Sequence, residues 1–529
     1  MYISNFLGNQ TTLQGIAGSA AINANDLIEI NQAGQLQSVK VADYSAISAS
    51  GTSIVAKTTV AAVANNGAFL QIAAPQQANQ VTLNLVTNGS TVYAYNWMGV
   101  LQGSVPFYAG SDIGYGFTQM VLLSNGNIAI VYPTTTSPYN LKFTIINQNL
   151  QIIVATTTIA VGGANPSSYP SVCALSGGGF ALAYTQTSVG MIFAIYSNTG
   201  SAVYAPTTIT GSATQSSGSS RGGAATVGQL SNGNIVVAIG EGYVSSTTAA
   251  LAFTIFSPTG STVVAYTNIV GTVATTSVIQ YPPQLAITTG YFCISCTYLY
   301  VAVVSNAGAV QGTPINASSG SYTSNGGQMT TDGTYFYFLA NATVNAVNGT
   351  LIATISNSGV YTTVFIATNG MAGPMGTNGA NNFPRLCGGG KIFTSSTPGT
   401  LYVTNVINPT TPFLEQTVTM PGSLTGFLGY GPYPAAAITS SSSVWITGID
   451  ATNTSFQILK FEATSIMGIS QSTIAAGNPG ATVTYSHVGS YPCNPILGAF
   501  NKAFDHSAAT IIGNKGILLG NSAYLVGVV

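Results

Sequence analysis

Charge is what this sequence has least of. In 529 residues there are 10 Asp and Glu and 9 Lys and Arg, so 4% of the chain is charged and the formal net charge is −1. An average soluble chain carries about 25%. No basic surface is available for a phosphate backbone and no polybasic segment for an anionic bilayer, so nucleic acid and membrane insertion are not expected. Long apolar runs are missing as well. The 46% apolar content is broken throughout by Gly, Ser, Thr and Asn, and no run approaches the ~20 residues of a spanning helix. With Lys and Glu scarce, good helix stretches are hard to find, and the Tyr-, Thr- and Val-rich remainder reads as all-β. Met1-Tyr-Ile-Ser-Asn-Phe-Leu-Gly8 has no basic stretch ahead of an apolar core, so a secretory signal is not expected.

Cysteine and histidine are also sparse. The five cysteines, Cys173, Cys293, Cys296, Cys387 and Cys493, are scattered and odd in number, which argues against a disulfide framework. Cys293-Ile-Ser-Cys296 has metal-site spacing but sits in an alternating strand, where residues three apart face opposite sides of the sheet. These cysteines read as small buried hydrophobes. His506 lies beside Asp505 and Ser507, yet adjacent strand residues diverge, so contiguity argues against a relay. Gly388-Gly-Gly390 precedes a strand rather than a helix, which excludes a phosphate loop. No loop offers two carboxylates for calcium. No catalytic residue, metal or cofactor is expected.

What the chain does contain is a repeat. Leu123-Ser-Asn-Gly-Asn-Ile-Ala-Ile-Val-Tyr132 returns as Leu175-Ser-Gly-Gly-Gly-Phe-Ala-Leu-Ala-Tyr184 and as Leu230-Ser-Asn-Gly-Asn-Ile-Val-Val-Ala-Ile239. Each copy is a strand end, a turn that accepts positive φ, and a second strand. A second hairpin recurs at Ile195–Val203, Phe253–Val264 and Val303–Val310, and Val92–Gly103 resembles it. First-hairpin turns are expected at Asn125-Gly126, Gly177-Gly178, Asn232-Gly233, Thr289-Gly290, Asp332-Gly333, Gly388-Gly389 and Ser440–Ser442. Four strands per repeat and no helix predict a β-propeller. A solenoid is the alternative, although its rungs are shorter, and no Gly-His…Trp-Asp signature marks the WD40 type. Seven blades over residues 67–463 are expected. The partial unit at 67–108 either adds an eighth or donates strands that close the ring.

The ends differ in style. Residues 1–66, with Asp26, Glu29, Lys40, Asp43 and Lys57, read as a small β-rich attachment segment. Residues 464–529 read as a compact β-domain, containing Ile466-Met-Gly-Ile-Ser-Gln-Ser-Thr-Ile-Ala-Ala-Gly477 and Gly513-Asn-Lys-Gly-Ile-Leu-Leu-Gly520. This last segment resembles terminal modules of tailed-phage virion proteins, and Ala20-Ala-Ile-Asn-Ala-Asn-Asp-Leu27 is similar in style to their attachment regions. The resemblance implies a fibre, spike or other virion appendage. It implies other virion subunits as partners of the two ends, and a place on an extracellular particle released by lysis. It transfers no catalytic residue.

Strand order sorts the loops. The two hairpin turns of a blade share one face, while the mid-blade connections and the crossovers between blades share the other. The second set is expected to be long, at 133–140, 205–225, 241–249 and 364–382, and binding function favours such loops over a rigid scaffold. Tyr139, Tyr243, Arg221 and Glu241 fall there as candidate binding residues, with Tyr115 a further tyrosine. Loop tyrosines beside amide and hydroxyl donors suit a neutral glycan; packing onto the blade rim explains each tyrosine equally well. Three functions compete: host-receptor binding, a purely structural connector, and a glycan-cleaving tailspike. The last needs two carboxylates about 5–10 Å apart, and the scattered Glu241, Asp332, Glu415 and Asp450 do not suggest such a pair. A homo-oligomer is left open, since no heptads specify a coiled coil.

Overall fold

A computed structural model describes residues 12–16, 22, 27–30, 36–38, 52–60, 66–72, 83–88, 90–95, 101–110, 112–113, 118–136, 140–160, 170–186, 189–212, 224–242, 248–274, 283–295, 300–316, 327–367, 385–387, 391–396, 400–406, 408–419, 424–426, 436–438, 443–450, 456–463, 466–470, 473, 475–476, 479–484, 491–493, 510–512, 516–519 and 522–525. Among these residues there is no helix. Successive antiparallel sheets of four strands follow one another along the chain, each in simple sequence order. This is an all-β propeller of four-stranded blades.

The burial gradient within a blade explains the sequence pattern. In blade 3 the second and third strands, Phe180–Gln186 and Gly190–Tyr196, are buried almost throughout. The outer strand, Ala202–Thr208, is exposed at six of its seven positions. Central strands are covered on both sides and read as continuous apolar runs, whereas a strand at the edge need not. The third strands spell out one motif: Phe143-Thr-Ile-Ile-Asn147, Phe193-Ala-Ile-Tyr-Ser197, Phe253-Thr-Ile-Phe-Ser257, Val301-Ala-Val-Val-Ser305 and Ile352-Ala-Thr-Ile-Ser356.

Alternation sends its residues to opposite neighbours. Phe193 and Ile195 pack with Ile235, Val237 and Phe256 of blade 4. Ala194 and Tyr196 pack with Phe143 and Ile145 of blade 2. The core is thus a series of layers between blades. Phe193 and Phe256 stack across one such layer, with centroids 4.2 Å apart and planes at 11°.

The described residues form eight blades, the larger of the two expected counts, with the unit at 67–108 as a blade in its own right. Blade 1 comprises Asn66–Ile72, Leu83–Asn88, Thr91–Tyr95 and Leu101–Pro106. Its first hairpin was invisible in the sequence because residues 73–82, rather than a tight Asn-Gly turn, join its strands. Blade 8 takes Ser443–Asp450 and Phe456–Ala463 from late in the chain and its outer strand, Thr52–Val60, from the beginning. Its inner strand is interrupted: Leu424–Gly426 and Ala436–Ile438 both pair with Ser443–Asp450. Each inner strand touches the next around the ring, and Ala436–Ile438 touches Asn66–Ile72, so the ring closes.

Outside these blades, Thr12–Ile16, Pro479–Thr484, Ile466–Ser470, Leu27–Ile30 and Leu36–Ser38 form one five-stranded sheet in that order. The two end segments, separate in the sequence reading, therefore share a sheet. A further sheet holds Tyr491–Cys493, Ser522–Leu525, Gly516–Leu519 and Thr510–Ile512. By compactness the chain divides into Met1–Val55 with Glu415–Val418 and Lys460–Val529, and Ala56–Leu414 with Thr419–Leu459.

One contact recurs at the blade junctions and is once reversed. In blades 2 to 6 the second-hairpin turn sets a left-handed residue against the outer strand of the blade before it. Gly260, at φ +91°, lies so close to the Tyr204 ring that an added Cβ would overlap it, and Gly308 stands in the same relation to Val264. Between blades 1 and 2 the large and small partners are exchanged. Leu150 holds the left-handed position at φ 61°, and the outer strand offers Gly103, where a Cβ would stand 3.0 Å from Leu150 Cδ1.

Gly260→Ala is expected to cost roughly 1–3 kcal/mol, from left-handed strain plus overpacking. Leu150→Gly and Gly103→Val should each lower the unfolding midpoint. The double variant rebuilds the usual junction, so it should lose less than the two single changes together in a double-mutant cycle.

Candidate functional site

The two ends of the blades differ in regularity. At one end, first-hairpin turns close identically: Leu123 N–H donates to Asn127 O (2.7 Å), Leu175 N–H to Gly179 O (3.0 Å) and Leu230 N–H to Asn234 O (2.7 Å). Second-hairpin turns repeat a side-chain clasp. The hydroxyls of Ser197, Ser257, Ser305 and Ser356 each accept from the N–H four residues on, at 3.1, 3.1, 3.1 and 3.2 Å.

At the other end, variation lies chiefly in the crossovers between blades, as at 209–223 and 367–384. The mid-blade connections were expected to be long, but several are tight. Asn88 pairs with Thr91, Gln186 with Gly190 and Val344 with Val347. Segments expected as loop also belong in part to strands, since Ala205–Thr208 lies within Ala202–Thr208.

Of the predicted binding residues, Glu241 is not in a loop. It lies on the second strand of blade 4, Ile235–Gly242, paired with Ala250. The continuous apolar run Ile235–Ile239 ends at Gly240, but the backbone ladder with the third strand continues through Glu241↔Ala250 to Gly242↔Ala249. Tyr139, Tyr243, Arg221 and Tyr115 lie outside the described residues. The structure describes Glu241 alone among these candidates.

It brings together another set, at the crossover from blade 1 to blade 2. An isolated bridge joins Ile113 to Thr134, and Thr135 N–H donates to Asp112 O at 2.6 Å. The crossover is thereby tied to the mid-blade connection of blade 2. Tyr108 folds over Gly110, where any Cβ would come within 2.6 Å of its hydroxyl. Tyr108 Oη donates to Asp112 Oδ1 at 2.8 Å, and Thr136 Oγ1 donates to Asp112 Oδ2. Lys142 Nζ donates to Tyr108 Oη at 3.2 Å and lies 4.7 Å from the centroid of its ring.

A second layer supports the first. Tyr132, buried and 5.4 Å from Tyr108 by ring centroid, shares hydrogen bonds with Thr144 (3.2 Å) and Thr156 (3.1 Å). Both threonines donate to Phe107 O, at 3.1 and 3.3 Å.

Electrostatics follow from these contacts. The Thr136 hydrogen bond holds the Asp112 carboxyl below its ordinary value; the Tyr108 bond and the Lys142 charge act the same way, and partial burial opposes them. Burial, then the Asp112 carboxylate, pushes the Tyr108 hydroxyl up. The site therefore presents a neutral phenol between a fixed anion and a cation. Such a set can orient a polar ligand by hydrogen bonds. Among the described residues no second carboxylate or activated nucleophile stands beside Asp112.

Asp332, the other described Asp side chain in the blades, forms a turn as the sequence suggested. Its Oδ1 accepts from Thr334 N–H and Tyr335 N–H, both at 2.7 Å, and its Oδ2 from Tyr337 Oη at 2.6 Å. Burial pushes the Cys173 thiol up to about 12 and the fully buried Cys293 thiol higher. Among the described residues no group of three or more His, Cys, Asp or Glu could hold a metal ion. The sequence reading did not connect Lys142 with Tyr108 and Asp112, some thirty residues earlier. Lys142 stands near the start of the third strand of blade 2 and Asp112 on the crossover before that blade.

No family model matches the chain, and no curated protein does. Solved structures with a similar fold include BamB from Moraxella catarrhalis, at 10% identity and TM-score 0.46, covering 78% of this chain and 97% of that one. The Dos1 propeller matches at 11% identity and TM-score 0.47, covering 79% and 96%. The BP39L lectin from Burkholderia pseudomallei matches at 12% identity and TM-score 0.43, covering 70% and 99%.

The depressed Asp112 carboxyl sets a pH dependence. Its contribution to stability is complete above the ordinary carboxyl value of 3.8 and is lost as pH falls through the lower folded value. Asp112→Asn should therefore melt below the parent at neutral pH, with the gap narrowing below about pH 4 in a series of thermal scans.

Proposed function

We propose that this chain is a non-catalytic binding propeller on an extracellular particle, a tailed-phage fibre or virion-surface protein that contacts a host through its crossover face. The observation that supports this is the contrast between the two ends of the blades. One end repeats the same turns. The other carries crossovers that differ from blade to blade and, where side chains are described, the cluster of Tyr108, Asp112, Thr136 and Lys142. Varied segments on a rigid scaffold suit recognition. A neutral glycan or an uncharged protein surface is the ligand chemistry that fits a chain with 4% charged residues.

A structural connector is the second reading, supported by apolar side chains exposed on the outer strands. Leu101, Ile152, Ile153, Val203, Val263, Val310, Tyr361 and Phe413 are each between 37% and 53% exposed, and they recur just after the second-hairpin turns. Repeated apolar exposure of this kind marks an interaction surface. Glycan cleavage has less support. Asp112 and Asp332 belong to opposite ends of different blades, and each is already bonded to hydroxyl or backbone donors.

The test is adsorption of the purified protein to host cells and to arrayed neutral glycans. Shortening the crossover between Ser212 and Ala224, and combining Tyr108→Ala with Lys142→Ala, should each be compared with the parent. At least one variant should lose about tenfold or more in affinity while far-ultraviolet dichroism and melting show an intact ring. Unchanged adsorption in both, with the crossover face protected from labelling in assembled particles, favours the connector. New reducing ends on incubation with host polysaccharide would replace both readings.

A further inference from the structure

A strand at the edge of a sheet exposes a row of unpaired N–H and C=O groups, and proteins commonly blunt such edges with bulges and prolines. The outer strands of the first five blades follow this rule. In blade 1 the pairing steps from Tyr95↔Leu101 to Ala94↔Gly103. Comparable register shifts occur in blade 2 after Phe143↔Thr157, in blade 3 after Phe193↔Thr207, in blade 4 after Phe253↔Thr267 and in blade 5 after Val301↔Ile315. Pro206 and Pro314 fall inside two of these outer strands and remove donors as well.

Blade 6 is different. Its outer strand, Tyr361–Ile366, pairs with the third strand without a shift from Ile355↔Tyr361 to Thr350↔Ile366. It ends its sheet, and among the described residues no strand pairs with its far side. Tyr-Thr-Thr-Val-Phe-Ile contains only β-branched and aromatic residues, with no charge, Pro or Gly. The apolar exposure is also greatest here. Val360, immediately before the strand, is 68% exposed, and Tyr361 is 48% exposed.

We infer that this edge pairs with the same edge of a second copy of the chain, antiparallel about a twofold axis at Thr363. Self-complementarity carries the choice of occupant. An antiparallel pair related by a twofold axis sets one residue opposite itself. With Thr363 at the centre, Tyr361 faces Phe365 of the partner subunit, Val360 faces the partner's Ile366, and Thr362 faces the partner's Val364. Aromatic pairs, β-branched pairs and Thr–Thr contacts are those that stabilise neighbouring strands, and no like charges meet.

The contact is isologous and closes at two copies, because one edge per chain is used and the described outer strands of blades 1–5 are bulged. Two four-stranded blades then become one eight-stranded sheet, through main-chain bonds and the covering of Val360 and Tyr361. Since no ionised group takes part, the pairing is expected to be insensitive to salt.

Sedimentation velocity on the full chain tests this, from about 1 to 100 µM, a range that brackets a micromolar association, at low and high ionic strength. A reversible dimer of similar strength in both salts is the expected result. Thr363 is exposed on the outer strand, so Thr363→Lys and Thr363→Asp should fold with unchanged melting. Each places like charges opposite one another and should shift the dimer constant at least tenfold toward monomer. Mixing the two variants should restore a dimer containing one of each. A parent that stays monomeric throughout overturns the inference. So does a dimer that both variants retain, or one that the mixture fails to restore. Capture of extended peptides by a monomeric parent would assign the edge to a different partner.

Discussion

The structure depends on contact between the faces of neighbouring sheets. In blades 2 to 6 the flanking residues of the third strand are divided between the blade before and the blade after, as Phe193 and Tyr196 are in blade 3. A blade removed from the ring would expose both of its faces. Closure is therefore the condition for every layer, and two features meet it. Ala436–Ile438 lies against Asn66–Ile72, and Thr52–Val60 supplies the outer strand of the last blade. The second ties the beginning of the ring to its end by backbone hydrogen bonds, a long-range pairing that must form late, after the intervening chain has brought the ends together.

A propeller of this kind has little need of charge. Neighbouring blades are joined by amides and hydroxyls: Gln119 Oε1 accepts from Val172 N–H at 2.7 Å, Gln229 Oε1 from Ser176 N–H at 2.7 Å, and Ser171 Oγ from Val227 N–H at 3.0 Å. Ser231 Oγ accepts from both Gly290 N–H (3.1 Å) and Asn306 Nδ2 (2.9 Å). Neutral bonds avoid the desolvation cost of buried ions and are little affected by ionic strength. Asn, Gln, Ser and Thr thus stand where another protein would place ion pairs. The low charge that argued against nucleic acid in the sequence goes with blades that neutral groups join.

Much of the fold could be read from the chain because its decisive signals are local. A turn such as Asn125-Gly126 or Asn232-Gly233, between alternating strands, identifies its hairpin without reference to anything distant. Blades 1 and 8 were harder to read for the opposite reason. The first hairpin of blade 1 spans residues 73–82, and blade 8 has a divided inner strand and an outer strand from the other end of the chain. Glu241 was misplaced because glycines on either side suggested a turn, while the ladder of blade 4 continues through Gly242↔Ala249. Tyr108, Asp112 and Lys142 escaped notice because their meeting depends on a crossover folding onto a mid-blade connection, and no local pattern encodes that.

The residues that depart from the repeat carry the most information about the molecule. A repeat fixes what is common to all blades, namely the turns, the alternating flanks and the close approach at each junction. Positions that obey it are explained by packing alone. Leu150 breaks it at one junction and is answered by Gly103, so that departure is structural. Asp112 and Lys142 place opposite charges at one crossover and, among the described residues, are answered by Tyr108 and Thr136, leaving their polar groups gathered in one place. The outer strand of blade 6 departs in the opposite sense: it is more regular than its counterparts and lacks the shift that protects them. Among the described residues no strand pairs with its outer edge. A ladder left straight, uncharged and unpaired where five others are bulged has its physical complement outside the chain.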